Sequence, residues 1–170
     1  EMTPIQVFEF SNIMGFYLNS DKRLIRDALL FVPRKFSKTT SVASLAIWDM
    51  LFGDSNAQAY TAANSYEQAQ ICFKEIKKVL KGLDPKLKSF KLNRERIEFV
   101  NQKKADRSSF IRCLASDPDT LDGLNASTVI MDEYSQADSA DLYNVLTSSM
   151  GVRENPLTII ITTASDKNEA

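Results

Sequence analysis

Histidine is absent from all 170 residues, which removes the commonest general base near neutral pH and the commonest zinc ligand. Hydrolytic chemistry in this chain would have to rest on carboxylates. Cysteine is almost absent too. Cys72 and Cys113 have neither the spacing of a metal-binding pair nor the density of a secreted disulfide scaffold, so a reducing, intracellular compartment is expected. No apolar stretch reaches the roughly 18 residues that a membrane helix needs, and no charged-then-hydrophobic leader opens the chain; no membrane contact is expected. A surplus of positive charge is also missing. With 21 basic side chains against 22 acidic ones, the composition excludes a protein that coats nucleic acid over its whole surface. Any DNA contact would be local.

What is present is enough apolar material for one substantial core, at 44% of residues, in a chain of ordinary single-domain size. The opening Glu1-Met2 and the stop soon after a strand-like run lead us to expect one excised domain, 1–170. Apolar spacing predicts a first helix over 5–18. The run ALLFV at 28–32 predicts a buried strand ending at Pro33, which cannot donate to a sheet ladder. Residues 39–52 then present a broad apolar face that includes Trp48, and Gly53 is a natural stop. A strand at 57–62 precedes a helix capped by Ser65 and Gln68 and expected to end at Gly82. Short strands are predicted at 87–92, 96–100, 109–115, 128–133 and 157–163, with a helix over 140–150 between the last two. Strands alternating with helices predict an α/β sandwich with a largely parallel sheet. Trp48 and the phenylalanines near Cys72 read as core, and the basic run KKVLKGLDPKLKSFK as a solvated helix end and turn.

Two segments suggest chemistry. Residues 31–40, FVPRKFSKTT, leave a strand through a basic, hydroxyl-rich turn into a helix. A phosphate cradle needs that order, with inward backbone N–H groups, a lysine for the outer phosphates and a hydroxyl for Mg²⁺ at the helix start. Lys38 and Thr39 would fill the last two roles. The pattern GxxxxGK[ST] is nevertheless unmatched, since Val32 and Ser37 stand where its glycines belong. A non-glycine residue in the left-handed conformation expected at Ser37 costs roughly 1 to 2 kcal/mol, but it keeps its amide donor. The second segment, Val129 to Glu133, is an apolar strand ending in two carboxylates, and ligands in open α/β sheets lie beyond the carboxyl ends of strands. Asp132 would hold Mg²⁺ through its water shell and Glu133 would act as general base on the attacking water.

The order of these motifs resembles the ATPase domain of the large terminase subunit of tailed bacteriophages, the motor that packages DNA into the procapsid. TPIQ at 3–6 resembles that family's adenine motif, with Gln6 in the reading position. VPRKFSKTT resembles its divergent Walker A, in which the first glycine is routinely missing. The segment AQAYTAANSYEQAQICF resembles the strand and helix that follow, SDPDTLDGLNASTVIMDEY resembles the loop running into Walker B and the catalytic glutamate, and NPLTIIITTAS resembles the motif that couples phosphate state to movement. The resemblance implies an ASCE-type, RecA-like P-loop NTPase fold: a three-layer α/β sandwich binding ATP and Mg²⁺. It implies nucleotide contacts from Gln6, Arg34, Lys35, Phe36, Ser37, Lys38, Thr39 and Thr40, metal contacts from Thr39 and Asp132, and coupling through Thr162 and Thr163. Arg34 in cis, or Arg153 acting on a neighbouring subunit, would stabilise charge on the transferred phosphoryl group beside the base Glu133.

Expected partners are double-stranded DNA, a portal protein, a small terminase subunit and further copies of the chain in a ring, working in the cytoplasm of a bacterial host at the procapsid portal. The nuclease half of such proteins should be absent, because its cluster of metal-binding acids is not found. Two other readings share the same residues: another P-loop enzyme, such as a helicase-like translocase or a nucleotide kinase, and a non-enzymatic remnant whose phosphate turn decayed at Ser37. Stimulation by portal or DNA separates the first of these from the packaging motor, and nucleotide binding separates the second.

Overall fold

The computed structural model describes residues 2–19, 21–33, 38–100, 108–114, 123–134 and 140–163, with Lys38 described for its backbone alone. Helix α1 (Pro4–Met14) opens on a complete capping box: the Thr3 hydroxyl accepts from the Gln6 amide, while the Gln6 side chain accepts from the Thr3 amide. It ends four residues before the expected position. The Gly15 amide bonds back to the Ser11 carbonyl, and Tyr17 pairs with Arg23 in an isolated antiparallel bridge, so the apolar residues after Met14 belong to a turn.

Strand β1 (Asp27–Phe31) leads towards helix α2 (Lys38–Phe52), which stops before Gly53. Strand β2 (Gln58–Ala63) leads to helix α3 (Tyr66–Leu83), where the Ser65 hydroxyl caps the first turn by accepting from the Gln68 amide. Gly82 does not end this helix; the chain continues to Leu83 and Asp84 closes it, with its amide bonded to the Leu80 carbonyl. The remaining elements are β3 (Phe90–Leu92), β4 (Arg96–Phe99), β5 (Phe110–Cys113), β6 (Thr128–Asp132), α4 (Asp141–Ser148) and β7 (Leu157–Thr162).

All seven strands form one sheet in the order β1-β7-β6-β2-β5-β4-β3. The first five run parallel, and β4 and β3 extend the sheet antiparallel. Strand alternation sorts side chains into two cores. Ala59, Ile130, Ile159 and Ile161 face α1, α2 and α3, packing against Val42, Leu45, Phe73 and Ile76. Tyr60, Ala62, Val129 and Met131 face the other way and pack with Leu146 of α4 and Met150 beyond it. The result is three layers, with Phe73 fully buried and Trp48 partly buried against the first core, as the apolar pattern predicts. Each fully buried aliphatic such as Ile130 contributes about 1.5–3 kcal/mol. Strands β6 and β7 are buried almost throughout, as a sheet covered on both faces requires. Strand β1 differs: among the described residues it pairs only with β7, and Leu29 and Phe31 are each 65% exposed.

Candidate active site

Register brings three strand ends together. Phe31 of β1 pairs with Thr162 of β7, and Asp132 of β6 pairs with Ile161 of β7 on one side and Ala63 of β2 on the other. The strand leading into the basic turn and the strand ending in the acid pair are therefore separated by a single strand, about 10 Å across the sheet. The Val32 amide donates to the Thr162 carbonyl at 3.3 Å, extending the ladder to the start of that turn. Helix α2 begins at Lys38, with Thr39 and Thr40 in its first turn and no acidic side chain there. The first-turn N–H groups and positive dipole end thus face no acidic side chain of the helix's own first turn. Arg34, Lys35, Phe36 and Ser37 lie outside the described residues.

The acid pair is held in an unusual way. Glu133 has φ +52°, a left-handed conformation that costs a non-glycine residue about 1–2 kcal/mol and that persists where surrounding contacts enforce it. Its amide donates to Asp132 Oδ1 at 2.9 Å. Asp132, buried on the α2–α3 side, stands close enough to Cys72 that its charge adds to burial in pushing that thiol well up. Glu133 is half-buried, and Thr163 Oγ1 donates to its Oε2 at 3.2 Å. The Thr162 hydroxyl donates to the Thr163 carbonyl at 3.3 Å. The structure thus joins Glu133 to the end of β7 through a hydrogen bond between residues 30 positions apart, which no spacing rule reveals.

Among the described residues no group of three or more His, Cys, Asp or Glu side chains clusters as a metal site. A cation here would have one carboxylate, Asp132, one hydroxyl, Thr39, and oxygens from water and substrate. That donor set fits Mg²⁺, a hard ion that keeps several waters and takes few protein ligands. Neither cysteine competes as a soft ligand, because burial raises the pKa of Cys113 as well as Cys72.

Gln6 lies apart from the strand ends, in a cavity of about 260 Å³ between α1 and the beginning of α2. Gln6, Glu9 and Phe10 line one side and Thr40, Ser44 and Leu45 the other. The cavity adjoins the same helix start as Thr39. Glu9 is not among the residues that the sequence pattern singles out, although its place one turn after Gln6 puts both on one helix face.

Arg153 lies at the opposite edge of the sheet from the acid pair. Its guanidinium donates from Nε and an Nη to the Asn125 carbonyl, at 3.2 and 2.7 Å, and from the Nη to the Asn56 carbonyl at 2.9 Å. Asn56 precedes β2 and Asn125 precedes β6, so Arg153 lies at the amino edge of the sheet, a strand length away from Asp132 and Glu133. The structure does not bring it to its own chain's acid pair; it ties together the loops that feed β2, β6 and β7.

The seven-stranded, mostly parallel sheet has the fold of the large terminase structures on which it superposes. The chain matches the family described as terminase large subunit, ATPase domain, over residues 4–170, and it belongs to that family. Among solved structures, the large terminase of bacteriophage HK97 superposes with a TM-score of 0.76 at 24% identity, covering 95% of this chain and 33% of that one. The large terminase ATPase domain of Thermus phage P74-26 gives 0.65 at 21% identity, covering 92% and 69%. A large terminase from a thermophilic bacteriophage, solved in complex with ADP, gives 0.70 at 13% identity, covering 95% and 39%. This chain therefore spans a third of the HK97 protein's length. No curated protein matches the sequence. No helix among the described residues is long and apolar enough to cross a membrane.

Proposed function

We propose that this chain is the motor domain of a packaging ATPase, hydrolysing ATP to drive double-stranded viral DNA into a procapsid. The observation that supports the reading is the Thr163–Glu133 hydrogen bond at the end of β7, beside the end of β1, the strand that leads to α2, in a chain of the terminase large subunit ATPase family. In this reading the amides and side chains of residues 34–40 bind the phosphates, Lys38 neutralises the outer ones, and Arg34 stabilises charge on the transferred group in cis. Thr39 and Asp132 would hold Mg²⁺, which when bound neutralises phosphate charge. Glu133 orients the attacking water and takes its proton. Because Thr163 donates to Glu133, any change in what Glu133 contacts after hydrolysis is felt at the end of β7, which suits Thr162 and Thr163 to a coupling role. A ring of such subunits, with a portal protein, a small terminase subunit and DNA, would work at the procapsid in the host cytoplasm.

Calorimetric titration with Mg-ATPγS, followed by turnover measurements, tests the site. Lys38→Ala should remove saturable binding. Glu133→Gln should bind within about twofold of the native protein while losing about 10²- to 10⁴-fold in turnover. Equal loss of binding in both variants would overturn the separate roles, and turnover indifferent to portal and DNA would favour another P-loop ATPase.

A further inference from the structure

We propose that Glu9 makes the cavity between α1 and α2 select adenine over guanine. The inference rests on the nucleotide site proposed above and assigns its base specificity to a residue beyond Gln6. At about 260 Å³ the cavity lies below the roughly 300–1,000 Å³ of complete small-molecule sites, a size suited to a base whose ribose and phosphates extend outside. Phe10 and Leu45 supply apolar contact for a flat ring, and the polar groups at its edge decide which ring fits.

Gln6 already has one lone pair of its Oε1 engaged: it accepts from the Thr3 amide at 2.9 Å within the capping box, which turns that oxygen towards the helix start and leaves Nε2–H as the group it most readily offers. A donor there suits purine N7, an acceptor that adenine and guanine share. Discrimination needs a group that reads position 6, where adenine carries an amine that donates and guanine an oxygen that accepts. Glu9 stands one turn along the same face and lines the same cavity. It is half-buried and, among the described residues, has neither a hydrogen-bond nor an ion-pair partner. An ionised carboxylate only accepts. Beside Gln6 it receives the adenine N6 amine, whereas guanine O6 would set two acceptors against each other with no proton between them.

The test is titration of the protein with ATPγS, GTPγS and inorganic tripolyphosphate, in the native form and as Glu9→Gln and Lys38→Ala. The native protein should prefer ATPγS by about 10- to 100-fold, the discrimination that one well-placed base contact supports. Glu9→Gln, whose amide can turn either its donor or its acceptor to position 6, should bring the two nucleotides within about threefold, leaving tripolyphosphate affinity and thermal midpoint unchanged. Lys38→Ala should lose all three ligands. An unchanged nucleotide ratio in Glu9→Gln, or no native preference, would overturn the role of Glu9 while leaving the phosphate site standing. A native preference for GTPγS would mean that the carboxylate reads the guanine N1 and N2 donors, the opposite selectivity. Native protein that binds none of the three would overturn the nucleotide site itself, and the proposal with it.

Discussion

The two edges of the sheet use similar polar residues to different ends. At the carboxyl edge, Glu133 is held in a strained conformation and its carboxylate accepts from the Thr163 hydroxyl. At the amino edge, Arg153 satisfies two backbone carbonyls, and Asp49 near the end of α2 accepts from Ser127 Oγ at 2.7 Å while that oxygen accepts from the Gln58 amide at 2.9 Å. Even Gly53 belongs to this second set, since a Cβ there would collide with the Asp49 carbonyl and carboxylate. One edge gathers charged groups where two strand ends meet; the other uses its polar groups to close loops. A charged residue near a strand therefore says little about chemistry until its end of the strand is known.

Three substitutions would break or sharpen this contrast. The largest effect is expected from Arg153→Ala, which strands two carbonyls and removes charge-assisted hydrogen bonds. It should cost about 2–3 kcal/mol of stability, lowering the thermal midpoint by about 5–10 °C, with nucleotide affinity unchanged. A preserved midpoint with collapsed turnover would instead make Arg153 a catalytic group acting on a neighbouring subunit. Thr163→Val should leave folding and binding intact and slow turnover about tenfold, the value of one hydrogen bond to a charged acceptor, with Thr163→Ser restoring it. Full activity in the valine variant would detach Thr163 from the function of Glu133.

The smallest effect should come from Asp49→Asn, read as a pH dependence. Burial raises the Asp49 pKa against the opposing influence of the hydrogen bond from Ser127 and of the Arg23 charge. A carboxyl whose folded pKa exceeds its unfolded one contributes stability below the unfolded value, about 3.9, and that contribution is lost as pH rises through the folded value. The thermal midpoint of the Asp49→Asn variant, relative to native, should accordingly rise between acid and neutral pH. A constant difference would show that Arg23 fully compensates the buried charge.

Much of this was legible in the chain, for local reasons. Apolar runs bounded by Pro33, Ser65 or an acid pair carry their own periodicity, so the strand and helix order and the position of Asp132-Glu133 follow from neighbours in sequence. Periodicity makes the first helix too long because the apolar residues of 16–18 keep a helical rhythm after Gly15 has already turned the chain. Gly82 misleads in the opposite direction: its position has open space around it, and nothing there requires glycine or ends the helix. The bonds that distinguish the two edges join residues far apart: Thr163 to Glu133 across 30 positions, Asp49 to Ser127 across 78, and Arg153 to Asn56 across 97. Only sheet order brings them together. The Thr3 to Gln6 box is visible as a T-x-x-Q pattern, and it is the signal that would have placed Glu9 on the same face as Gln6.

The single-sided pairing of β1 has a mechanical meaning. From Asp27↔Thr158 to Phe31↔Thr162, every rung that holds β1 among the described residues is shared with β7. A displacement of β7 along its axis loads those rungs together in shear, so β1 and β7 slide as one plank, whereas a pull outward at the bare edge would open them one at a time like a zip. Axial force is the kind this pair transmits.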